Sequence, residues 1–156
     1  MANLAMSPGN DVQVLEVHEC WALLRSSSLG RVGVATGDGG VDIFPVNIVV
    51  DHGTLVFRTA TGTKLDLIDA ASRVCVEADH TDPETGIAWS VVAQGPADVV
   101  SARSDLWDAF GLEVDPWQVG RKPFFVRVTP TSLTGRRFQM RDRGSASSIG
   151  RLLLSE

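Results

Sequence analysis

The stretch that decides the fold is Gly53-Thr54-Leu55-Val56-Phe57-Arg58-Thr59-Ala60-Thr61-Gly62-Thr63-Lys64-Leu65. Its first residues have the apolar pattern of a strand, and a short Thr/Gly loop then leads directly into a predicted helix. A helix that begins in this way presents free backbone N–H groups and the positive end of its dipole. The hydroxyls of Thr59 and Thr63 and the cations of Arg58 and Lys64 lie in the same junction. The junction therefore predicts an anion site, and the anion we expect is a phosphate.

The sequence leaves a second interpretation of this junction open. Loops of Gly, Thr and Lys are also common as solvated turns. The spacing is neither the Gly-x-x-x-x-Gly-Lys of a P-loop nor the Gly-x-Gly-x-x-Gly of a dinucleotide-binding fold. Lys64 nevertheless stands out, because it is one of only two lysines in a chain with twelve arginines.

Short strands joined by tight turns lie on both sides of the junction. Turn residues at Asp38-Gly39-Gly40 and Asp51-His52-Gly53 predict hairpins, and such connections are too short for the crossovers of a parallel sheet. We therefore predict a mainly β fold, an antiparallel barrel of about six strands that leaves no open edge. The predicted strands are Leu29–Thr36, Val41–Val50, Thr54–Thr59, Arg73–Ala78, Ile87–Val100 and, as the last clear one, Phe124–Val128. The predicted helices are Leu15–Ser27, Thr63–Ala71 and Ala102–Phe110.

Prolines and polar residues predict irregularities within these strands. Pro45 predicts an edge position or a bulge, and Gly95-Pro96 predicts a bulge in the longest strand. The segment Asp79–Gly86 is expected to be a polar loop. Asn47, which follows Pro45, is suited either to hydrogen-bond the edge of a heterocycle or to cap its own turn.

The composition is that of a single domain. A chain of 156 residues, 44% hydrophobic and 21% charged, is long enough to bury a core. We expect an N-terminal arm (1–14), a domain (15–138) and a basic flexible tail (139–156). Residues 121–156 carry eight arginines and lysines and two acids, a balance of +6, so with a net charge of −5 the remainder sums to −11. Because the basic field is local, general nucleic-acid binding is not expected.

Targeting signals and reactive cysteines are not recognisable in the chain. The first ten residues do not resemble a signal peptide, and no apolar run approaches the roughly 18 residues that span a bilayer. We therefore expect a cytoplasmic protein that does not associate with membranes. Cys20 and Cys75 belong to no Cys-x-x-Cys pair, which predicts two reduced, buried thiols.

No side chain is singled out as a catalytic acid, base or nucleophile. The three histidines form no metal-binding pair, so no metal site is expected, and no Gly-x-Ser-x-Gly is present. Trp89 and Trp117, at the ends of elements, suit stacking on a planar ring as well as packing. This pattern is typical of a protein whose cofactor carries the chemistry.

Six short segments occur here in the order found in one known family. They are Glu19-Cys20-Trp21, Leu29-Gly30-Arg31-Val32, Pro45-Val46-Asn47, Phe57-Arg58-Thr59-x-x-Gly62-Thr63-Lys64-Leu65, Trp89-Ser90-Val91 and Gly135-Arg136-Arg137. Together, over about residues 15–138, they resemble the pyridoxamine 5'-phosphate oxidase-like, FMN-binding split-barrel proteins. The resemblance implies a split β-barrel homodimer with its cofactor sites at the subunit interface.

The same resemblance implies a role for each site residue. The FMN phosphate and ribityl chain would be bound by Arg58, Thr59, Thr63 and Lys64. The isoalloxazine ring would be lined by the backbone of Pro45, Val46 and Asn47. The ring pocket would be closed by Trp89, Ser90 and Trp117, some of them from the partner chain.

The function that the resemblance implies is an FMN-dependent oxidoreductase acting on an unknown small organic substrate. The chain has no tyrosine, and its C-terminal region has no Arg-x-His, so pyridoxamine 5'-phosphate itself is not the expected substrate. One alternative is a reductase that uses the deazaflavin coenzyme F-420, whose polyglutamate tail would suit a basic groove. The arginine-rich end could form that groove, although we favour a solvated tail. The other alternative is a non-catalytic flavin or haem binding protein.

Overall fold

The computed structural model describes residues 12–59, 62–100 and 124–140. Within these ranges the elements follow in the order β1 (Val12–Val14), α1 (Val17–Ser26), β2 (Leu29–Ala35), β3 (Val41–Asp51), β4 (Thr54–Thr59), α2 (Thr63–Ala71), β5 (Arg73–Asp82), β6 (Ile87–Val100), β7 (Phe124–Val128) and β8 (Ser132–Gln139). The predicted helix Ala102–Phe110, the loop that carries Trp117 and the tail beyond residue 140 lie outside the described residues. Neither helix in the described ranges has the length and apolar character needed to cross a membrane.

The strands form a closed antiparallel barrel with an extension. Their order is β1-β8-β6-β5-β2-β3-β4-β7, and a further pairing of β6 with β7 closes the six strands β2 to β7 into a barrel. All of these pairings are antiparallel. Strands β8 and β1 continue the sheet outward from the first part of β6. The predicted class, a mainly β barrel of about six antiparallel strands, is confirmed.

Strand β6 belongs to both parts of the sheet. Its residues 87–94 pair with β8 and its residues 97–100 pair with β7. Its ladder with β5 is unbroken from Asp82↔Ile87 to Arg73↔Pro96. The predicted bulge at Gly95-Pro96 is therefore absent from the β5 side. On the other edge this dipeptide is the point at which β6 changes partner, and there residues 95–96 lie opposite residues 129–131. The exchange brings another backbone very close, since a Cβ added at Gly95 would lie 2.0 Å from the carbonyl oxygen of Thr129.

Strand β3 also has different partners along its length, but on opposite edges. Its ladder with β2 is unbroken from Ala35↔Val41 to Leu29↔Asn47, and its ladder with β4 begins at the next residue, Ile48. Of the two options for Pro45, the bulge is wrong and the edge position is confirmed, since no strand in the described ranges pairs with the other edge of β3 at this residue. Proline is compatible with that position because it has no N–H to donate to a second neighbour.

Two other predictions need correction. Phe124–Val128 is not the last strand, because β8 follows it and pairs with both β6 and β1. The expected polar loop is shorter than predicted, since β5 continues through Asp82 and only residues 83–86 form the turn. The charged residues of this segment stay in the strand because the β5–β6 ladder supplies their backbone with partners.

The core lies inside the barrel and beneath the two helices. The inward faces of the strands carry buried Val, Ile, Leu and Phe side chains, such as Val32, Ile48 and Phe57. Helix α2 packs against β2, β5 and β6 and buries Ile68 completely. Helix α1 lies on the other part of the sheet, where a Cβ added at Gly135 of β8 would be 2.6 Å from the Cys20 sulfur.

The two cysteines differ in burial. Both thiols are free; Cys20 is buried on the inner face of α1, as predicted, whereas Cys75 is only half-buried. Burial raises the pKa of both thiols, so each is protonated at neutral pH and neither is a ready nucleophile.

Candidate cofactor-binding site

The predicted anion site lies where β4 passes into α2. Strand β4 ends at Thr59 and α2 begins at Thr63, with Gly62 as its N-cap. Gly62 has φ 141° and ψ −171°, a backbone conformation open essentially to glycine alone. The first helical hydrogen bond runs from Asp66 N to Gly62 O at 3.1 Å. The N–H groups before Asp66 have no acceptor within the helix, and Gly62 at the N-cap has no side chain with which to cap them.

The two cations of the junction are held differently. Lys64 is half-buried, and its Nζ lies 5.1 Å from the centroid of the Phe44 ring on β3. Arg58 is half-buried on the outward face of β4, opposite Phe125 of β7. Thr59, the next residue, is buried with only 7% of its surface exposed. The junction thus combines a helix N-terminus, two cations and two hydroxyls, which is the donor set that a phosphate requires.

The segment Pro45-Val46-Asn47 lies beside this junction on β3. Val46 points into the barrel and is buried, whereas Pro45 and Asn47 point outward and are exposed. Asn47 and Arg58 each lie one position beyond the last pair of the β3–β4 ladder, which is Ile48↔Phe57. The outward face at this point therefore carries an amide next to a guanidinium.

Trp89 and Ser90 point to opposite faces of β6, as adjacent strand residues do. Trp89 pairs with His80 and Arg137 and lies on the face that α1 covers; its ring is 6.3 Å from that of His80. Arg137 on the same face forms an ion pair with Glu19 of α1, 3.5 Å apart. Trp89 is half-buried and packs against the core.

Ser90 lies on the outward face together with Asn47, but at some distance. It pairs with Asp79 and Arg136. Strands β2 and β5 separate β6 from β3, so three interstrand steps, about 14 Å along the sheet, divide Ser90 from Asn47. Within one chain the structure therefore brings the junction and the β3 segment together and leaves Trp89 and Ser90 apart from them. Trp117 lies outside the described residues.

The outward face also carries an apolar surface that the sequence analysis did not identify. Leu29, Val41 and Ile43 lie there with 54%, 66% and 67% of their surfaces exposed. Beside them is a shallow groove of about 410 Å³ that Gly33 and Cys75 help to line. We call Leu29, Val41, Ile43 and this groove the outer apolar face. Neighbouring exposed side chains of this kind are typical of a surface that another molecule covers.

Two charged clusters flank these surfaces. On the outward face Arg31 bonds to Glu77 at 3.0 Å and also to Asp79. At the β3–β4 turn, Arg127 donates to Asp51 at 2.8 Å. The hydrogen bond from Arg127, and then that from His52, lowers the pKa of Asp51. Both clusters connect strands to one another, so we assign them to the stability of the barrel.

Phe44, whose ring contacts the predicted phosphate-binding lysine, is not among the site residues predicted from the sequence. Phe44 and Lys64 are 20 positions apart in the sequence, and their contact exists only because β3 and α2 meet in the folded chain. The one available signal was the position of Phe44 directly before Pro45.

One family of known proteins matches most of the chain. The family model described as pyridoxamine 5'-phosphate oxidase matches residues 16–137, which is most of the chain. The chain belongs to the pyridoxamine 5'-phosphate oxidase family. An uncharacterised family relative from Mycobacterium tuberculosis H37Rv is 35% identical over 91 residues, covering 58% of this chain and 81% of that protein.

Two of the solved structures similar to this chain are of FAD-binding proteins. The FAD binding protein from Mycobacterium smegmatis is 42% identical, with a TM-score of 0.64, over 81% of this chain and 98% of that one. An FAD-binding protein from Mesorhizobium loti has a TM-score of 0.71 over 84% of this chain and 99% of that one. At 21% identity, this second likeness shows that the fold is shared. The split barrel of the pyridoxamine 5'-phosphate oxidase family is thus the fold of this protein.

Proposed function

We propose that this protein binds a flavin through the β4–α2 junction and acts as a flavin-dependent oxidoreductase on a small organic molecule. The observation that carries the proposal is the donor set at the start of α2, where Lys64 lies in the first helical turn and Arg58 lies near the end of the preceding strand. A flavin phosphate carries close to two negative charges, and such an anion favours charge-assisted hydrogen bonds and a helix N-terminus. The residues present therefore fit the group.

The flavin we expect is FMN. FAD contains the same ribityl phosphate and would use the same junction, and the M. smegmatis relative at 42% identity is an FAD binding protein. When bound, the cofactor would supply hydride transfer at its isoalloxazine ring. Lys64, Arg58, Thr59 and Thr63 would hold the phosphate and ribityl chain. The backbone of Pro45, Val46 and Asn47 would orient the ring, and this chain would need no side-chain base of its own.

We further propose that the site is completed by a second copy of the chain. Ser90, Trp89 and Trp117 were expected to close the ring pocket, yet Ser90 is about 14 Å along the sheet from Asn47. A homodimer that packs outer apolar faces together would bury Leu29, Val41 and Ile43 next to the β3 segment. The pocket could then be closed by residues of the partner. We place this homodimer in the cytoplasm.

The first test is to identify what co-purifies with the protein. Mass spectrometry of the released small molecule distinguishes FMN, FAD and coenzyme F-420, and an absorbance spectrum distinguishes a flavin band from the Soret band of haem. We expect a flavin that is bleached by dithionite. A Soret band, or a purified protein with no affinity for added FMN or FAD, would contradict the proposal.

A paired substitution tests the junction itself. We expect Lys64→Ala combined with Arg58→Ala to abolish flavin retention while the far-ultraviolet circular dichroism remains that of the wild type. The matched control is Arg25→Ala, which removes an exposed cation from the last turn of α1. Flavin retention by the double variant would show that the phosphate is held elsewhere.

A single substitution tests the dimer. Ile43→Asp places a charge in the centre of the outer apolar face, and we expect it to convert dimers to monomers in size-exclusion chromatography with light scattering. The control, Val17→Asp, changes a residue of similar exposure, 57%, at the first position of α1. A wild-type protein that is monomeric at micromolar concentrations would refute the dimer without affecting the junction.

A further inference from the structure

Lys64 is held by an aromatic ring and not by a carboxylate. Its Nζ lies 5.1 Å from the centroid of the Phe44 ring, within the range of a cation–π contact. In the part of the chain that the structure describes, the ion pairs involve Arg31, His52, Arg127 and Arg137, and none involves Lys64. Among the described residues, the group that contacts the Lys64 ammonium is therefore the uncharged ring of Phe44.

The nature of that neighbour matters for a group that must bind an anion. A lysine side chain loses rotamer entropy when it is fixed in one place. A carboxylate could fix it, but would also offset its charge and repel an incoming phosphate. The face of a phenyl ring attracts the ammonium with about 0.5–2 kcal/mol and adds no net charge. The ring thus restricts the lysine and leaves its charge available to the ligand.

Phe44 is itself well fixed. It lies on β3 opposite Val32 of β2, is half-buried and packs against the core. The next three residues along the strand are Pro45, Val46 and Asn47, which we propose line the flavin ring. One strand therefore carries both the support of the phosphate-binding cation and the segment at the ring.

We propose that Phe44 is a positioning residue that holds Lys64 in place for the flavin phosphate. This inference rests on the proposed function, because it assumes that the anion at the junction is the phosphate of a flavin. It predicts that Phe44 contributes to the binding of the phosphate and not to the binding of the ring.

The test compares FMN with riboflavin, which has the same ring and no phosphate. Protein freed of any co-purified ligand is titrated with each compound by quenching of flavin fluorescence. The ratio of the riboflavin Kd to the FMN Kd then measures the contribution of the phosphate. Phe44→Leu keeps an apolar side chain but removes the aromatic face. We expect it to lower this ratio about two- to thirty-fold, the equivalent of one cation–π contact, with the riboflavin Kd unchanged.

Two further variants separate positioning from general packing. Phe44→Tyr retains the aromatic face and is expected to retain the wild-type ratio. In a Lys64→Met background, Phe44→Leu should have no further effect on the ratio, because the cation that the ring holds is gone. If Phe44→Leu fails to fold, Phe44→Met replaces it as the flexible apolar substitute.

The possible failures are distinguishable. If Phe44→Leu weakens FMN and riboflavin equally, or if Lys64→Met lowers the ratio and Phe44→Leu does not, the positioning role is wrong and the proposed function stands. If the wild type binds FMN no better than riboflavin, or binds neither compound, the phosphate assignment of the junction is wrong and the inference is overturned with it.

Discussion

Replacement of Gly95 by alanine is expected to be among the most damaging single-methyl additions to this protein. A Cβ at Gly95 would lie 2.0 Å from the carbonyl oxygen of Thr129, 2.8 Å from its carbonyl carbon and 2.9 Å from Cα of Pro130. All three are backbone atoms, so no side chain can rotate away. Relief of the clash requires the segment after β7 to move back by more than 1 Å, since carbon atoms pack at about 3.5–4.0 Å.

The size of the effect follows from what holds that segment. Thr129 N donates to Pro96 O at 3.0 Å and Thr131 N donates to Gln94 O at 2.8 Å, one bond on each side of the clash. Two backbone hydrogen bonds at about 1 kcal/mol each, added to about 1–3 kcal/mol for overpacking, give a loss of about 3–5 kcal/mol. That is a large share of the about 5–15 kcal/mol by which domains are stable.

The assay is equilibrium unfolding in urea at one protein concentration, followed by tryptophan fluorescence. Two other glycines serve as matched controls. A Cβ at Gly33 would have no neighbour closer than 3.8 Å, so Gly33→Ala should change the free energy of unfolding by less than about 1 kcal/mol. A Cβ at Gly30 would meet Glu77 O at 2.9 Å, which predicts an intermediate loss. If Gly95→Ala cost no more than Gly33→Ala, the close approach of β6 to the segment after β7 would be refuted.

Three further substitutions test other parts of the structure. Gly62→Ala forces a residue with a side chain to adopt a φ of 141°. We expect a loss of about 1–3 kcal/mol in the free energy of unfolding, measured by thermal melting, and weaker FMN binding, measured by fluorescence titration. An unchanged variant would refute the strained N-cap conformation. Asp51→Asn should cost about 1 kcal/mol near neutral pH. Because the folded-state pKa of Asp51 is lowered, its contribution is present above its unfolded pKa, about 3.9, and is lost as the pH falls through the folded value. Melting temperatures from pH 7 to pH 3 should therefore converge for wild type and variant, and a constant difference would contradict the Arg127 contact. Gly135→Ala should lower the free energy of unfolding by about 1–2 kcal/mol, because its Cβ would lie 2.6 Å from the Cys20 sulfur. In a Cys20→Ala background the loss should be smaller. If the two substitutions had additive effects on urea unfolding, α1 would not pack on Gly135 as described.

The hairpins of the barrel could be predicted because their turns are local. Asp38-Gly39-Gly40 and Asp51-His52-Gly53 separate apolar runs, and the structure places Gly39 and Gly53 at positive φ, as such turns require. The start of α2 could be predicted for a similar reason, since Gly62 interrupts the strand pattern directly before a helical one.

Strand β8 could not be predicted from its own residues. Ser132–Gln139 is rich in Ser, Thr, Arg and Gln, and much of it is exposed. Its large apolar residues are Leu133, which packs against the core, and Phe138, which is 39% exposed, and its one buried residue is Gly135, on which α1 rests. The strand exists because β6 offers it a partner, and that is information from elsewhere in the chain.

The residues of the candidate site likewise divide into those that the local sequence identifies and those that only the fold brings together. The junction residues from Arg58 to Lys64 are neighbours in sequence and were identified there, whereas the ring of Phe44 reaches Lys64 only through the fold. The separation of Trp89 from Ser90 onto opposite faces follows from strand alternation once β6 is assigned. Which of the two faces is covered by α1 depends on the packing of the helix.

The pairing of β6 with both β7 and β8 has a consequence for how the chain folds. A shift of this strand by one residue would turn its inward Val91, Ala93 and Ala97 outward and would misalign β5, β7 and β8 at once. An error in one of these pairings therefore disturbs the others. The correct alignment also requires β7 and β8, which come much later in the chain than β6. Contacts of such long sequence separation are slow to form, so we expect refolding in milliseconds to seconds, with β6 as the last strand to open in hydrogen exchange.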